Sequence, residues 1–594
     1  MRNLFPDETG SVTLSYSSEE DRAVKRSIRQ LKADIEKTAG CRCEAETDGD
    51  NGADLTIVIG TIGKNSEIDS RIRLGVIKAD PIRDESGSYR WEGYVIQEAE
   101  GILYIAGSDR RGTIYGVYEL SRRMGVSPWH DLGDVPVRKR SFQITAGFYL
   151  ADYPSVQYRG IFINDEEELE AWAKKHTADG TIGPELYEKI FELLLRLKAN
   201  YIWPAMHVNY FNEDPRNGEL ADEMGIVVGT SHCDMLLRSN QNEWKPWLEK
   251  KGYFDLKYDY SIEGENRERI REYWREGLEQ NKKYENTYTI GMRGIHDSGF
   301  VTSKIYENSG LDENEIRQEK VKLMQQVFCD QREMLRQVLG QEKEEHSVKM
   351  FIPYKEVLDL YDAGLDVPED VTLIWVNDNF GHMRRYPDEK ERERTGGHGL
   401  YFHNSYWAHP EMSYLFINSI PLAQTGNELE KSYRKGIRKL WVLNAGALKP
   451  LEMDIEYFLR YGWEAGKKEA VTKNPEQFVQ EWVDYNFSGE PGREAADLYG
   501  KYAQLTNVRK VEHLVSDVFA QEGYGDEAGR RLVRLKDLFD RGNRLWESLP
   551  DDEKDSFFQL FLMKIHASFW CNAEYYFADR SRLSYDRGLG RAAD

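Results

Sequence analysis

Four carboxylates, Glu166, Asp297, Glu356 and Asp378, each stand just past a short apolar run of the chain. Two carboxyl groups flanking a bond, one protonated and one ionised, are what acid–base cleavage of a glycosidic bond needs. The same places past other apolar runs hold Asn164, His232, Arg293, Tyr354, Asn379, His403 and Tyr406. Arg293 is the one strong cation among them. A planar guanidinium suits bidentate pairing with a carboxylate, which points to an acidic sugar, and equally to a structural ion pair with a rim carboxylate. Trp203, Trp375, Tyr354, Tyr401, Tyr406 and Trp407 offer aromatic faces for sugar rings. They read equally as core, Trp375 above all. Plainer readings stand beside several others: Asp165 and Asn444 as caps of following helices, Glu167 and Glu168 as solvated, His207 as an ordinary loop histidine. What favours a site is the coincidence of carboxylates, histidines, an arginine and tyrosines after successive runs.

Those runs must be strands. Eight of them occur, at residues 158–163, 201–203, 226–229, 287–290, 348–352, 371–376, 400–402 and 439–443. Helical periodicity follows most. Pro184 suits a first helical position, and Leu186, Ile190, Leu193, Leu194 and Leu197 fall on one face. A second helix from Asp312 aligns Ile316, Leu323, Met324, Val327 and Leu335. Strands alternating with helices pair in parallel through crossovers, and eight such units predict a closed (β/α)8 TIM-type barrel over residues 146–450. In that fold, catalytic groups project from the C-terminal strand ends.

Residues 1–145 read as an N-terminal α/β domain. It has a buried strand at 55–60, a hairpin from 94–96 to 102–106, and a helix from Thr113 to Met124 ended by Gly125. The basic stretch 138–140 reads as a linker. The segment Gly396-Gly-His-Gly399 lacks the following helix and the Lys-Ser/Thr of a phosphate loop, and reads as a flexible lead into strand seven. Residues 451–594 carry helical spacing only and predict a helical bundle without a closing element.

Composition narrows the class. The 594 residues carry a net charge of −23, which opposes binding to a nucleic-acid backbone. No run is long and apolar enough to span a membrane, and the N-terminus shows no signal-peptide pattern, so the expected location is cytoplasmic unless a leader was removed. Five scattered cysteines form neither a disulfide framework nor a zinc ribbon.

Several segments resemble glycoside hydrolase family 115. They are YRGIFINDEE at 158–167, LRLKANYIWPAM at 195–206, FNEDP at 211–215, ADEMGIVVGTSH at 221–232, YTIGMRG at 288–294 and WVNDN at 375–379. GSDRRGTIYGVY at 107–118 and GVSPW at 125–129 resemble the family's N-terminal domain. The resemblance implies an inverting α-1,2-glucuronidase that removes glucuronic acid or its 4-O-methyl form from xylan. Its partner would be glucuronoxylan or an aldouronic oligosaccharide, with no cofactor and no metal. It makes Glu166, Asp297 and Glu356 the leading catalytic carboxylates and Arg293 a uronate contact. It places His232, Tyr354, Asn379, Tyr401, His403 and Tyr406 in the pocket, beside Asn164, Trp203 and Asp378 from the strand-end reading. An inverting pair stands about 6.5–9.5 Å apart, leaving room for water.

Two stretches depart from the family pattern. Cys233 and Asp234 stand where a second histidine and a glutamate are usual, and Ile295-His-Asp-Ser298 replaces Asp-Gly-Asp-Glu. Family members also run longer, with a C-terminal β-rich domain, so the chain reads as a fragment; a homodimer is an open alternative. Two other readings compete: a sugar-binding barrel without turnover, and a metal-dependent barrel hydrolase using His232, Asp378 and His403.

Overall fold

The computed structural model describes residues 5–593 except 48–51, 140–141, 165, 296–297, 308–309, 379 and 405–416. Two sheets organise it. The first contains β1 (Ser11–Tyr16), β2 (Arg42–Thr47), β3 (Leu55–Thr61), β4 (Tyr94–Ala99), β5 (Ile102–Gly107) and β6 (Tyr149–Asp152), in the order β2-β1-β3-β5-β4-β6. β1, β2, β3 and β5 run parallel, and β4 is antiparallel to both β5 and β6. The β4–β5 hairpin turns on Glu100 and Gly101, both at positive φ, as a two-residue turn matched to strand twist demands. β6 joins this sheet, so the sheet takes in residues past the break expected at 145.

The helix expected from Thr113 begins earlier, as Arg110–Arg123. Asp109 is the reason: its side chain accepts the Gly112 N–H at 2.9 Å and caps the first turn. The basic stretch near 138 is no loose linker either. Arg138 pairs with the buried Glu553 and with Asp552 of the helical region.

The second sheet is the barrel: β7 (Tyr158–Phe162), β8 (Tyr201–Trp203), β9 (Val227–Val228), β10 (Thr287–Thr289), β11 (Val348–Phe351), β12 (Val371–Val376), β13 (His398–His403) and β14 (Ile437–Asn444). All neighbours are parallel, in the order β10-β11-β12-β13-β14-β7-β8-β9. A parallel bridge between Val228 and Asn286 joins the two ends into a ring. Each expected strand is present. β13 starts at His398, inside the segment read as a flexible loop. The Trp375 indole N–H points at His398 Nδ1 (3.1 Å) and His398 Nε2 meets the Glu391 carbonyl (2.7 Å), which fixes that segment in the sheet.

Alternation along the strands sorts the core. Tyr201, Trp203, Met350, Ile352, Ile374, Val376, Leu440 and Val442 fill the barrel interior. Ile202, Leu373, Trp375 and Trp441 face the surrounding helices. Tyr201 needs two glycines for its space, one beside its backbone and one beside its ring. A Cβ on Gly160 would lie 1.9 Å from the Tyr201 carbonyl oxygen, and one on Gly229 1.9 Å from its hydroxyl.

Helices Pro184–Arg196 and Glu313–Leu339 cover the barrel, the second opened by an Asp312/Glu315 capping box. From Glu452 onward the chain is helical, with long members Glu452–Glu464, Gly492–Val508, Glu527–Ser548 and Met563–Asp586. No helix among the described residues is long and apolar enough to cross a membrane. All five cysteines are free thiols.

Candidate active site

The C-terminal ends of the barrel strands gather a half-closed ring of aromatic and ionisable side chains. Tyr401 and His403 lie two apart on β13 and so share its inner face, with ring centroids 4.3 Å apart. His232, after β9, meets Tyr354, after β11, edge to face at 4.8 Å, and lies 5.9 Å from Tyr401. Tyr354 stacks toward His403 at 5.9 Å. Arg293, after β10, holds its guanidinium 5.7 Å from the Tyr354 ring.

Two asparagines fix this ring, Asn377 and Asn444, the second of which sequence offered equally as a helix cap. Asn377 Oδ1 accepts the backbone N–H of His403 at 2.7 Å and meets His403 Nδ1 at 2.9 Å. An amide oxygen only accepts, so Nδ1 carries the hydrogen and Nε2 is the basic nitrogen. Asn444 donates from Nδ2 to the Tyr401 hydroxyl at 3.0 Å, so it serves the site in place of a helix cap. Asn377 directly follows β12, Asn444 ends β14, and both are buried. The signal available in sequence was an amide where the strand pattern breaks off, which also describes a cap.

The carboxylates divide by environment. Arg293 grips Glu356 with two N–H groups, Nε to Oε1 at 3.2 Å and Nη2 to Oε2 at 2.8 Å. The Phe300 N–H adds a third bond to Oε1 at 2.9 Å. The Glu356 side chain remains 37% exposed at the mouth of the site, while Arg293 is buried beneath it.

Glu166 is buried and turned the other way. It accepts the N–H groups of His207 (2.5 Å), Val208 (2.8 Å) and Asn209 (2.6 Å), and the Asn209 side chain at 2.8 Å. Burial pushes its carboxyl above the ordinary range while these four donors pull it back. A carboxylate has about four acceptor positions, so Glu166 is fully occupied as the anchor of the loop after β8.

Asp378 uses Oδ1 to accept Phe380 and His382 N–H groups, both at 2.9 Å, and so builds its own turn. Trp203 is fully buried. It supports Tyr401 from within the barrel, 5.1 Å away, and donates to the Tyr201 hydroxyl at 2.7 Å, so it offers no stacking face. Asn164 is half-buried after β7, its N–H on the Gly446 carbonyl at 3.3 Å. Asp297, Asn379, Tyr406 and Trp407 lie outside the described residues. Among the described residues, no three His, Cys, Asp or Glu side chains gather as a metal site.

The family model for glycosyl hydrolase family 115 matches residues 151–513, a span that takes in the whole barrel. The chain belongs to glycosyl hydrolase family 115. It is therefore a glycoside hydrolase. Among solved structures it resembles a GH115 4-O-methyl-α-glucuronidase with specificity for decorated arabinogalactans. That match has 31% identity and a TM-score of 0.83, over 98% of this chain and 75% of the other. A GH138 enzyme targeting pectin rhamnogalacturonan II shares the fold at 12% identity and a TM-score of 0.55, over 98% of this chain and 89% of the other. No curated protein matches the chain.

Against the family 115 pattern, the departure at Cys233 and Asp234 has a structural meaning. Both are buried. Asp234 accepts Ser231 Oγ at 3.0 Å and the Asn240 N–H at 3.2 Å. Asn240 in turn donates from Nδ2 to the carbonyl of Gly294 at 2.9 Å. Asp234 thus steadies the turn that follows Arg293. Burial, with Glu243 and Glu166 nearby, pushes its carboxyl up to about 8. Asp234 is a positioning residue reached through hydrogen bonds.

Proposed function

We propose that this family 115 enzyme is an α-glucuronidase that removes α-1,2-linked glucuronic or 4-O-methylglucuronic acid from a decorated polysaccharide, with inversion at the anomeric carbon. The observation that carries the reading is the buried Arg293 beside Glu356, bordered by Tyr354, His232, Tyr401 and His403. A guanidinium has five N–H donors, enough to hold both Glu356 and a substrate carboxylate. The activity of the GH115 relative supports a uronic acid as the sugar removed, and its specificity supports arabinogalactan beside xylan as the polymer.

Glu356 and Asp297 form the proposed catalytic pair. One protonates the glycosidic oxygen as the C1–O bond breaks, and the other takes a proton from the water that attacks C1 from the opposite face. Asn377, Asn444 and Asp234 keep His403, Tyr401 and the Arg293 turn in place.

The test is release of uronic acid from 4-O-methylglucuronoxylan and from decorated arabinogalactan, comparing the native enzyme with Arg293→Ala. The reading predicts release from at least one polymer. It also predicts a loss in the variant of roughly 100-fold or more in kcat/KM, the order expected when a charge-assisted pair is removed from a buried site. Equal kcat/KM in enzyme and variant would remove Arg293 from uronate recognition and the reading with it.

A further inference from the structure

A cavity of about 570 Å³ opens on the catalytic face beside the site, between the loops that follow β9 and β10. One wall comes from Trp244, Leu248, Tyr253, Phe254 and Tyr258, and the other from Ile295, Ser298, Val301 and Ser303. Its size suits a ligand of a few sugar rings.

Three exposed apolar side chains converge on it: Phe254 at 75% exposure, Ile295 at 40% and Val301 at 40%. An apolar patch rimmed by polar groups marks a binding surface. Lys245, Glu249, Asp255 and Lys257 line the same cavity. Among the described residues none of the four is paired with an opposite charge. Aromatic and aliphatic faces set among unpaired polar heads are the chemistry that recognises neutral sugar rings.

The wall formed by Val301 and Ser298 also borders the active site. On its inner side the Phe300 N–H donates to Glu356 at 2.9 Å, and Gly299, at φ +92°, lets the chain turn against that carboxylate. Ser303 anchors the far end through Asp259, with its N–H at 2.8 Å and Oγ at 2.5 Å. One loop therefore faces the catalytic carboxylate on one side and the cavity on the other.

We propose that this cavity is the subsite for the polysaccharide backbone, holding neutral pyranose residues of the chain that carries the uronic acid. The assignment rests on the glucuronidase reading for the identity of its occupant. Phe254 serves as the stacking platform and the four charged heads bond sugar hydroxyls. The leaving group is thereby held while the uronic acid enters the Arg293 pocket.

The experiment titrates the protein with undecorated xylohexaose and with β-1,3-galactohexaose, which carry no scissile uronic acid, and repeats this with Phe254→Ala, Val301→Asp and the remote control Val533→Ala. The expected result is binding of at least one backbone, weakened about tenfold or more by the first two substitutions and unchanged by the third. In parallel, kcat/KM on long decorated oligosaccharides falls similarly, while that of Phe254→Ala on a uronic acid–xylose disaccharide holds. Absence of binding to the native protein, or equal binding by Phe254→Ala and Val301→Asp, overturns the subsite. Backbone binding that depends on Phe254 without any uronic acid release upholds the subsite and counts against the glucuronidase reading. Release that is indifferent to both substitutions at every length does the reverse.

Discussion

The carboxylates of this enzyme show how environment assigns a residue its work. Glu166 and Glu356 both follow barrel strands, and both accept several N–H groups. Glu166 is sealed under the loop after β8, whereas Glu356 keeps more than a third of its side chain open to the site. Asp234 illustrates a third case, an acid held where burial opposes ionisation. Its folded pKa near 8 lies above its unfolded value of about 3.8. Between those values the folded state binds the extra proton, so this group's contribution to stability is complete below about 3.8 and is lost as pH rises toward 8. Asp234→Asn should therefore flatten the fall in thermal midpoint between pH 4 and 8. Parallel midpoint curves for the two proteins across that range would show that Asp234 does not titrate as the fold implies. Little of this was legible in sequence, because Asp234 was visible only as a departure from a pattern. The hydrogen bonds that give it meaning cross from the loop after β9 to the loop after β10.

Among the elements, the barrel strands were the most legible part. Short β-branched and aromatic runs of this length, buried on both faces, have few other structural solutions. What sequence concealed was the start of β13, where glycines suggested a loop. Gly399 is instead needed in the sheet, since a Cβ there would meet Ile374 Cδ1 at 2.3 Å. The strand β1 and the helix Arg22–Thr38, which buries Val24, Ile28, Leu31 and Ile35, were present in the sequence pattern but were not read from it. Loop anchoring was not legible at all, because it depends on backbone N–H groups that every residue possesses. Glu166→Ala would leave three backbone N–H groups and one amide of the loop after β8 without their acceptor. A loss on the order of 3 kcal/mol is expected, after partial rescue by water. Denaturant titration gives the number, and a loss below about 0.5 kcal/mol would mean the loop holds itself.

Across the whole molecule, the first sheet, the barrel and the helical region are joined by buried polar contacts. Glu92, at positive φ and fully buried, accepts Arg111 Nε at 2.6 Å, Arg159 Nη2 at 2.5 Å and Asn200 Nδ2 at 2.7 Å. Arg159 belongs to β7, so one carboxylate ties the first sheet's neighbourhood to the floor of the barrel. On the other side, Glu456 accepts the indole N–H groups of Trp129 at 2.8 Å and Trp482 at 2.9 Å. Removing one partner of a buried ion pair strands the other, so Glu92→Ala should cost about 3–5 kcal/mol. The catalytic rim lies at the opposite end of the strands, so activity per folded molecule should persist. An undiminished unfolding midpoint would deny the network its stabilising role. None of these joints was foreseeable from periodicity, since each pairs residues far apart in the chain. The helical character after residue 451 was legible, while its attachment through Arg138 and Glu456 was not.

The most direct test of the account follows anomeric protons by NMR while the enzyme acts on an α-1,2-linked 4-O-methylglucuronoxylan oligosaccharide, with Glu356→Gln alongside. The account predicts that the uronic acid released first is the β-anomer, before mutarotation mixes the two, and that Glu356→Gln slows its release by orders of magnitude while remaining folded. Release of the α-anomer first, or release by Glu356→Gln at the native rate, would contradict it.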